Sequence, residues 1–196
     1  ITEINNGLSP VIGINYEDAS TYVKWLKKRL PTEIEWEKAG RGKDGRLFPW
    51  GNEWEESKCF RNLGNIPLSS NSSNLPVGSF SNGASPYGVM DMAGSVMEWV
   101  KRIFPSISKN GEQIDDQPFV LTGGSIFHNQ IYSHMLTSRF SWSCYMRIYN
   151  SGFRCVSDDI DFPVSEIKLS FEREMPKRMK VSLEKYLNEP IKIEPM

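Results

Sequence analysis

Both histidines of this 196-residue chain, His128 and His134, lie in one segment, with Cys144 a little further on. Imidazole and thiolate together suit copper, zinc or iron. A spacing of six residues in a loop imposes no geometry, so the same residues also read as surface polar groups and a free thiol. The segment from Ser125 to Gly152 that holds them is rich in Ser and Asn and carries the aromatics Phe127, Tyr132, Phe140, Trp142, Tyr145 and Tyr149. Its only charges are Arg139 and Arg147. Rigid aromatics among short polar side chains make a binding surface, because Tyr and Trp give contact area at low entropic cost. The competing reading buries several of these rings in a core.

The elements that must hold this segment are legible on either side of it. Val11-Ile12-Gly13-Ile14 is apolar and β-like. Asn15 is a good N-cap for a helix with Glu17 and Asp18 in its first turn, and Ala19, Tyr22, Val23 and Leu26 fall on one face. Thr32 and Glu35 have capping-box spacing for a second helix, which Gly40 or Gly42 can end. Lys43 to Phe80 reads as long ordered loops that pack Phe48, Trp50, Trp54 and Phe60, with Ser69 to Asn74 as a surface loop. Met92 to Val100 is a short apolar segment, Ser106 to Gln117 a polar loop, and Phe119-Val120-Leu121 a strand. Asn150-Ser151-Gly152 turns the chain into a closing strand, Phe153 to Val156. After Val156 the chain is charged and Pro-containing. Residues 157–196 read as a tail or linker to another element, with a short amphipathic helix over Lys177 to Asn188.

Composition narrows the classes of function. A net charge of -1 gives no electrostatic footprint for nucleic acid. No apolar run approaches the length that spans a bilayer, and no secretory leader is visible. Three cysteines, Cys59, Cys144 and Cys155, neither pair off evenly nor show the C-x-x-C spacing of a zinc site. Free thiols in a reducing, cytoplasmic compartment are the expectation.

A series of motifs runs through residues 10–156: Pro10-Val11-Ile12-Gly13-Ile14, Arg29-Leu30-Pro31-Thr32-Glu33-Ile34-Glu35-Trp36-Glu37-Lys38-Ala39, Phe48-Pro49-Trp50-Gly51, Pro76-Val77-Gly78-Ser79-Phe80, Tyr87-Gly88-Val89-Met90-Asp91-Met92-Ala93-Gly94-Ser95-Val96-Met97-Glu98-Trp99, Gly123-Gly124-Ser125 and Gly152-Phe153-Arg154. In this order they resemble the formylglycine-generating enzyme, or sulfatase-modifying factor, family. The resemblance implies an α+β, C-type-lectin-like fold with two helices, short antiparallel strands and much ordered loop over residues 1–156, with the N-terminal part of the family fold missing.

The resemblance also implies site chemistry. The family's best-kept calcium site maps onto Asp91, Gly94, Val96 and Glu98, two carboxylates and two carbonyls of the hard-oxygen kind that calcium takes. The family's copper is held by two cysteines shortly after Gly-Gly-Ser. Here His128 stands at the first position and Ser133 nearest the second, and a hydroxyl is not a Cu(I) ligand, so no copper is expected. Cys155 matches a closing cysteine of the family whose partner position holds Val23, so that disulfide cannot form. The reading that follows is a non-catalytic recognition or scaffold domain and module of a larger protein. It binds a protein or small molecule through Phe127, His128, Tyr132, His134, Arg139, Trp142, Tyr145, Arg147 and Tyr149, with further domains or subunits engaged through residues 157–196 and neither nucleic acid nor membrane as a partner. Two alternatives stand beside it: a divergent metal-dependent oxidase acting on a peptidyl cysteine or small thiol, and a structural domain that only assembles through its tail.

Overall fold

The computed structural model describes residues 8–61, 75–104, 106–107, 110–111, 113–115 and 117–158. The expected loop at Ser69 to Asn74 and helix at Lys177 to Asn188 lie outside these residues.

Both helices begin where the capping chemistry places them. Helix α1 spans Tyr16–Trp25. The Asn15 side chain accepts from the Asp18 N–H at 2.8 Å, and Asp18 accepts in return from the Asn15 N–H at 3.4 Å, which satisfies two donors with no partner inside the helix. Helix α2 spans Glu33–Arg41 and repeats the device with Thr32 and Glu35. Gly42, at φ 67°, ends it. Gly40 stays inside the helix, where it lets Leu136 approach so closely that an added Cβ would sit 2.5 Å from Leu136 Cδ2.

Five short strands follow among the described residues. Strand β1, Met97–Lys101, is central: it pairs antiparallel with β4, Phe119–Thr122, and parallel with β5, Ser151–Gly152. The sheet is therefore mixed rather than wholly antiparallel, because the chain returns to β1 through the long segment 123–150 instead of a hairpin. Alternate side chains explain why the run into β1 shows no polar alternation. Met97, Trp99, Phe119 and Leu121 pack with Ala19 and Val23 of α1, whereas Val100 and Val120 pack with Trp36 of α2, Met92 and Leu136. Both faces of the sheet are covered.

Three expectations are corrected. Ser106 to Gln117 is not plain loop: β2, Ser106–Ile107, and β3, Gln113–Asp115, form an antiparallel pair across Asn110-Gly111, with Gly111 at φ 82°. Asn-Gly is a strong hairpin signal, and here it outweighs polar composition. Val11 to Ile14 forms no strand. Gly13 turns at φ 70°, and the Ile14 carbonyl accepts from Trp99 Nε1 at 3.1 Å and Ser151 Oγ at 3.3 Å instead of a ladder. The closing strand falls at Ser151–Gly152. Downstream, only Val156 bridges, exchanging two backbone bonds with Arg29 at 3.1 and 2.9 Å. The loops do pack their aromatics as expected: Phe48 lies 5.5 Å from Trp50 and 5.1 Å from Trp54 between ring centroids. Among the described residues, no helix is long and apolar enough to cross a membrane.

Candidate functional site

The Gly123-Gly124-Ser125 turn builds the polar centre. Gly124 sits at φ 68°, and an added Cβ would lie 2.7 Å from the Ser133 carbonyl oxygen, so the turn and the single helical turn Ile131–His134 close on one another. Ser125, wholly buried, organises what lies between them. Its N–H donates to His128 Nδ1 at 2.9 Å, and its Oγ lies 3.1 Å from the same nitrogen. Nδ1 is therefore the bare nitrogen, the Ser125 hydroxyl donates to it, and Nε2 carries the proton. Asn150 Nδ2 completes the chain by donating to Ser125 Oγ at 2.7 Å, while Asn150 Oδ1 is buried without a partner. The His128 ring stacks on Phe140 at 4.8 Å. Burial holds its pKa below the ordinary value.

His134 is fully buried. Its Nδ1 faces the Gln130 carbonyl at 3.1 Å and its Nε2 the Ser125 carbonyl at 3.2 Å, with Trp54 against the ring at 5.2 Å. Burial lowers its pKa against the pull of the two carbonyls. The two imidazoles lie 6.2 Å apart between centroids, but His128 Nδ1 accepts from Ser125, its Nε2 carries the proton, and both nitrogens of His134 are engaged. Ser133 is buried beside them and brings a hydroxyl. Among the described residues, no group of three or more His, Cys, Asp or Glu side chains could hold a metal ion, and Cys59, Cys144 and Cys155 are free thiols. These donors do not fit a Cu(I) centre, which needs soft sulfur ligands.

The surface residues separate into three groups. Tyr132, Trp142, Tyr145 and Tyr149 are open to solvent, at 62, 43, 73 and 52% exposure, and Met146 joins them at 47%. Phe127 is half-buried and meets Tyr149 edge-on at 4.9 Å. The two arginines are ion-paired inward. Arg139 donates to Glu33 at 2.9 Å and to Glu37 at 2.5 Å, tying the loop to α2. Arg147 donates to the buried Asp18 at 3.0 Å, tying the loop to the N-terminus of α1. His134 is no surface residue, and Arg139 and Arg147 hold the aromatic segment to the helices. Neither Asn150 nor Asp18 is legible in these roles from the sequence, because one reads as a turn residue and the other as an ordinary helix start. A contact across more than a hundred residues has no local signature.

The second candidate centre adjoins the first: the Ile126 N–H donates to the Ser95 carbonyl at 3.1 Å and the Gly94 N–H to the Gly123 carbonyl at 2.8 Å. Asp91, Ser95, Val96 and Glu98 line a cavity of about 240 Å³ together with Arg154. Asp91 and Ser95 hold left-handed backbone at φ 59° and 58°, and Asp91 accepts from the Gly78 N–H at 2.6 Å. Buried Glu98 accepts from Trp36 Nε1 at 2.8 Å, Arg154 Nε at 2.5 Å and Arg154 Nη2 at 2.6 Å. Burial works against the charge of Arg154, but Glu98 and the nearby Asp91 outweigh it and keep the guanidinium protonated. The oxygen donors of Asp91, Glu98 and the Gly94 and Val96 carbonyls fit a hard divalent cation in type, with Arg154 as a competing positive charge.

A mixed sheet covered on both faces, with ordered loops closing over a Gly-Gly-Ser turn, defines an α+β domain of the formylglycine-generating-enzyme type. Solved structures share the fold: CarF aligns over 78% of this chain and 69% of its own with a TM-score of 0.56 at 21% identity. PvdO from Pseudomonas aeruginosa aligns over 74% and 60% with a TM-score of 0.58 at 22% identity. Residues 1–159 match the sulfatase-modifying factor enzyme 1-like domain, and the chain belongs to that family. Its relatives differ in what they do. Uncharacterized protein YfmG of Bacillus subtilis is 34% identical, with 82% of this chain and 37% of YfmG covered. Inactive C-alpha-formylglycine-generating enzyme 2 of Bos taurus is 30% identical, covering 76% and 50%. Formylglycine-generating enzyme of Mycobacterium tuberculosis is 32% identical, covering 77% and 58%. The chain thus spans between about a third and three-fifths of the length of these relatives.

Proposed function

We propose that this chain is a non-catalytic recognition domain of the formylglycine-generating-enzyme fold, a module that binds a protein or small ligand through the Ile126 to Ser151 surface. The observation that carries this reading is the open patch of Trp142, Tyr145, Met146 and Tyr149, set on a loop that Arg139 and Arg147 pin to the two helices. Aromatic side chains on a fixed backbone lose little entropy on binding, which is the property a recognition surface needs. The imidazole of His128, its Nδ1 spent on Ser125, supports the same reading, since it stands where the family's copper chemistry needs a thiolate. A relative named inactive C-alpha-formylglycine-generating enzyme 2, 30% identical to this chain, supports the same reading. We also propose a structural calcium ion held by Asp91, Glu98 and the Gly94 and Val96 carbonyls, thiols kept reduced in the cytoplasm, and further domains or subunits joined through residues 157–196.

The test is quantitative affinity capture on the intact chain, with Trp142→Ala/Tyr145→Ala as the comparison. A partner retained by the wild type and lost by the double variant, with melting temperature unchanged, supports the reading. Equal retention by both proteins removes this patch as the binding surface.

A further inference from the structure

Between α1, α2 and the end of β1 lies a second cavity, of about 380 Å³. The half-buried ring of Tyr16 forms its apolar floor, and Val23 and Leu30 line it from the core at only 2 and 6% exposure. Lys24, Lys28, Arg29 and Lys101 line it, against the single carboxylate of Glu35. Four cations against Glu35 in the lining and Asp158 on the rim is still a positive excess in a chain whose net charge is -1, and such an excess raises the local concentration of an anionic ligand. The walls are fixed. Arg29 is bridged to Val156 through two backbone bonds of 3.1 and 2.9 Å, and the Lys101 N–H donates to the Pro31 carbonyl at 2.9 Å.

The rim already shows what it takes. Arg29 donates to Asp158 from Nε at 3.1 Å and from Nη2 at 2.7 Å, a carboxylate gripped by the fork of the guanidinium. Glu35 occupies the rest of that guanidinium at 2.7 Å. Lys24 and Lys101 are exposed and have no acidic partner among the described residues. They come from different elements, one from a helix and one from a strand, and frame the apolar floor between them.

We propose that this cavity binds an acidic peptide segment of a partner protein, in which two carboxylates flank an apolar side chain. The carboxylates meet Lys24 and Lys101, and the apolar side chain packs on the half-buried ring of Tyr16. A bare phosphate would use the charges but not the floor. The cavity shares no residue with the Ile126 to Ser151 surface, so the two readings fail separately.

The probe is a fluorescein-labelled peptide, Gly-Glu-Leu-Glu-Gly, titrated with the full chain by anisotropy. Both lysines are exposed, so Lys24→Glu and Lys101→Glu leave the fold intact, as circular dichroism checks. Each is expected to weaken binding about 3-fold, and both together about 10-fold, the scale of exposed charge pairs. Lys43→Glu, outside the cavity, leaves binding unchanged, and the glutamine version of the peptide binds measurably less. Equal binding by the double variant overturns the proposal, as does inorganic phosphate displacing the peptide at equal concentration. Binding that appears only after Asp159→Asn/Asp161→Asn assigns the cavity to this chain's own acidic run and overturns the partner reading too.

Discussion

Replacing Glu98 by alanine tests how β1 holds α2 and the segment that follows β5. Glu98 is 5% exposed and accepts three hydrogen bonds, from Trp36 of α2 and from two nitrogens of Arg154. Removing it strands a guanidinium and an indole N–H away from water. Hydrogen bonds to a charged group contribute about 1.5–3 kcal/mol each but do not add when they share one acceptor, and breaking a buried pair costs on the order of 3–5 kcal/mol. For a domain of this size, that lowers the melting temperature by roughly 6–20 °C. Urea denaturation of Glu98→Ala, Arg154→Ala and the double variant reads both the loss and the coupling. The double variant should be less destabilised than the sum of the singles by about 2 kcal/mol, because removing both partners leaves no orphan charge. A loss under about 1 kcal/mol for Glu98→Ala, or strict additivity, would refute the claim that this carboxylate is structural.

Further outcomes follow from the same contacts. Burial lowers the pKa of His128 and His134 from 6.5, so the unfolded chain takes up protons first; stability is complete above about pH 6.5 and falls as pH drops below it, a loss His134→Gln should reduce in a urea series. A second loss begins as pH falls below 4.5, where Glu35, held at about 2 by its hydrogen bonds to Arg29, starts to take up protons in the unfolded chain. Gly124→Ala, which meets Ser133 O at 2.7 Å, should cost about 2 kcal/mol, whereas Gly88→Ala, at φ 76° with open space, should cost about 1 kcal/mol by the same assay. If the proposed calcium is bound, adding it raises the melting temperature of the wild type and not of Asp91→Ala; no rise with the wild type would sink that proposal.

What the sequence made legible was local or serial. The capping pairs Asn15 with Asp18 and Thr32 with Glu35 act over three residues, so the helix starts could be read directly. The ordered series of motifs carried the family. The errors arose where a long-range partner decides. Ser151–Gly152 becomes a strand only because β1 lies beside it, and Val11 to Ile14 fails to become one because Trp99 and Ser151 take the Ile14 carbonyl. In the candidate site, the type of residue at positions 128 and 133 was plain, and so was the aromatic run. The inward pairing of Arg139 with Glu33 and Glu37, across roughly a hundred residues, was not, since charge alone does not say which way an arginine faces.

The central claim is that this family member recognises rather than reacts. Mass spectrometry of a cysteine-containing peptide, incubated with the folded chain, copper and oxygen, tests it most directly. The account predicts an unmodified cysteine. Conversion of that cysteine to formylglycine, at a rate above a metal-only control, would contradict it and return His128 and its neighbours to catalysis.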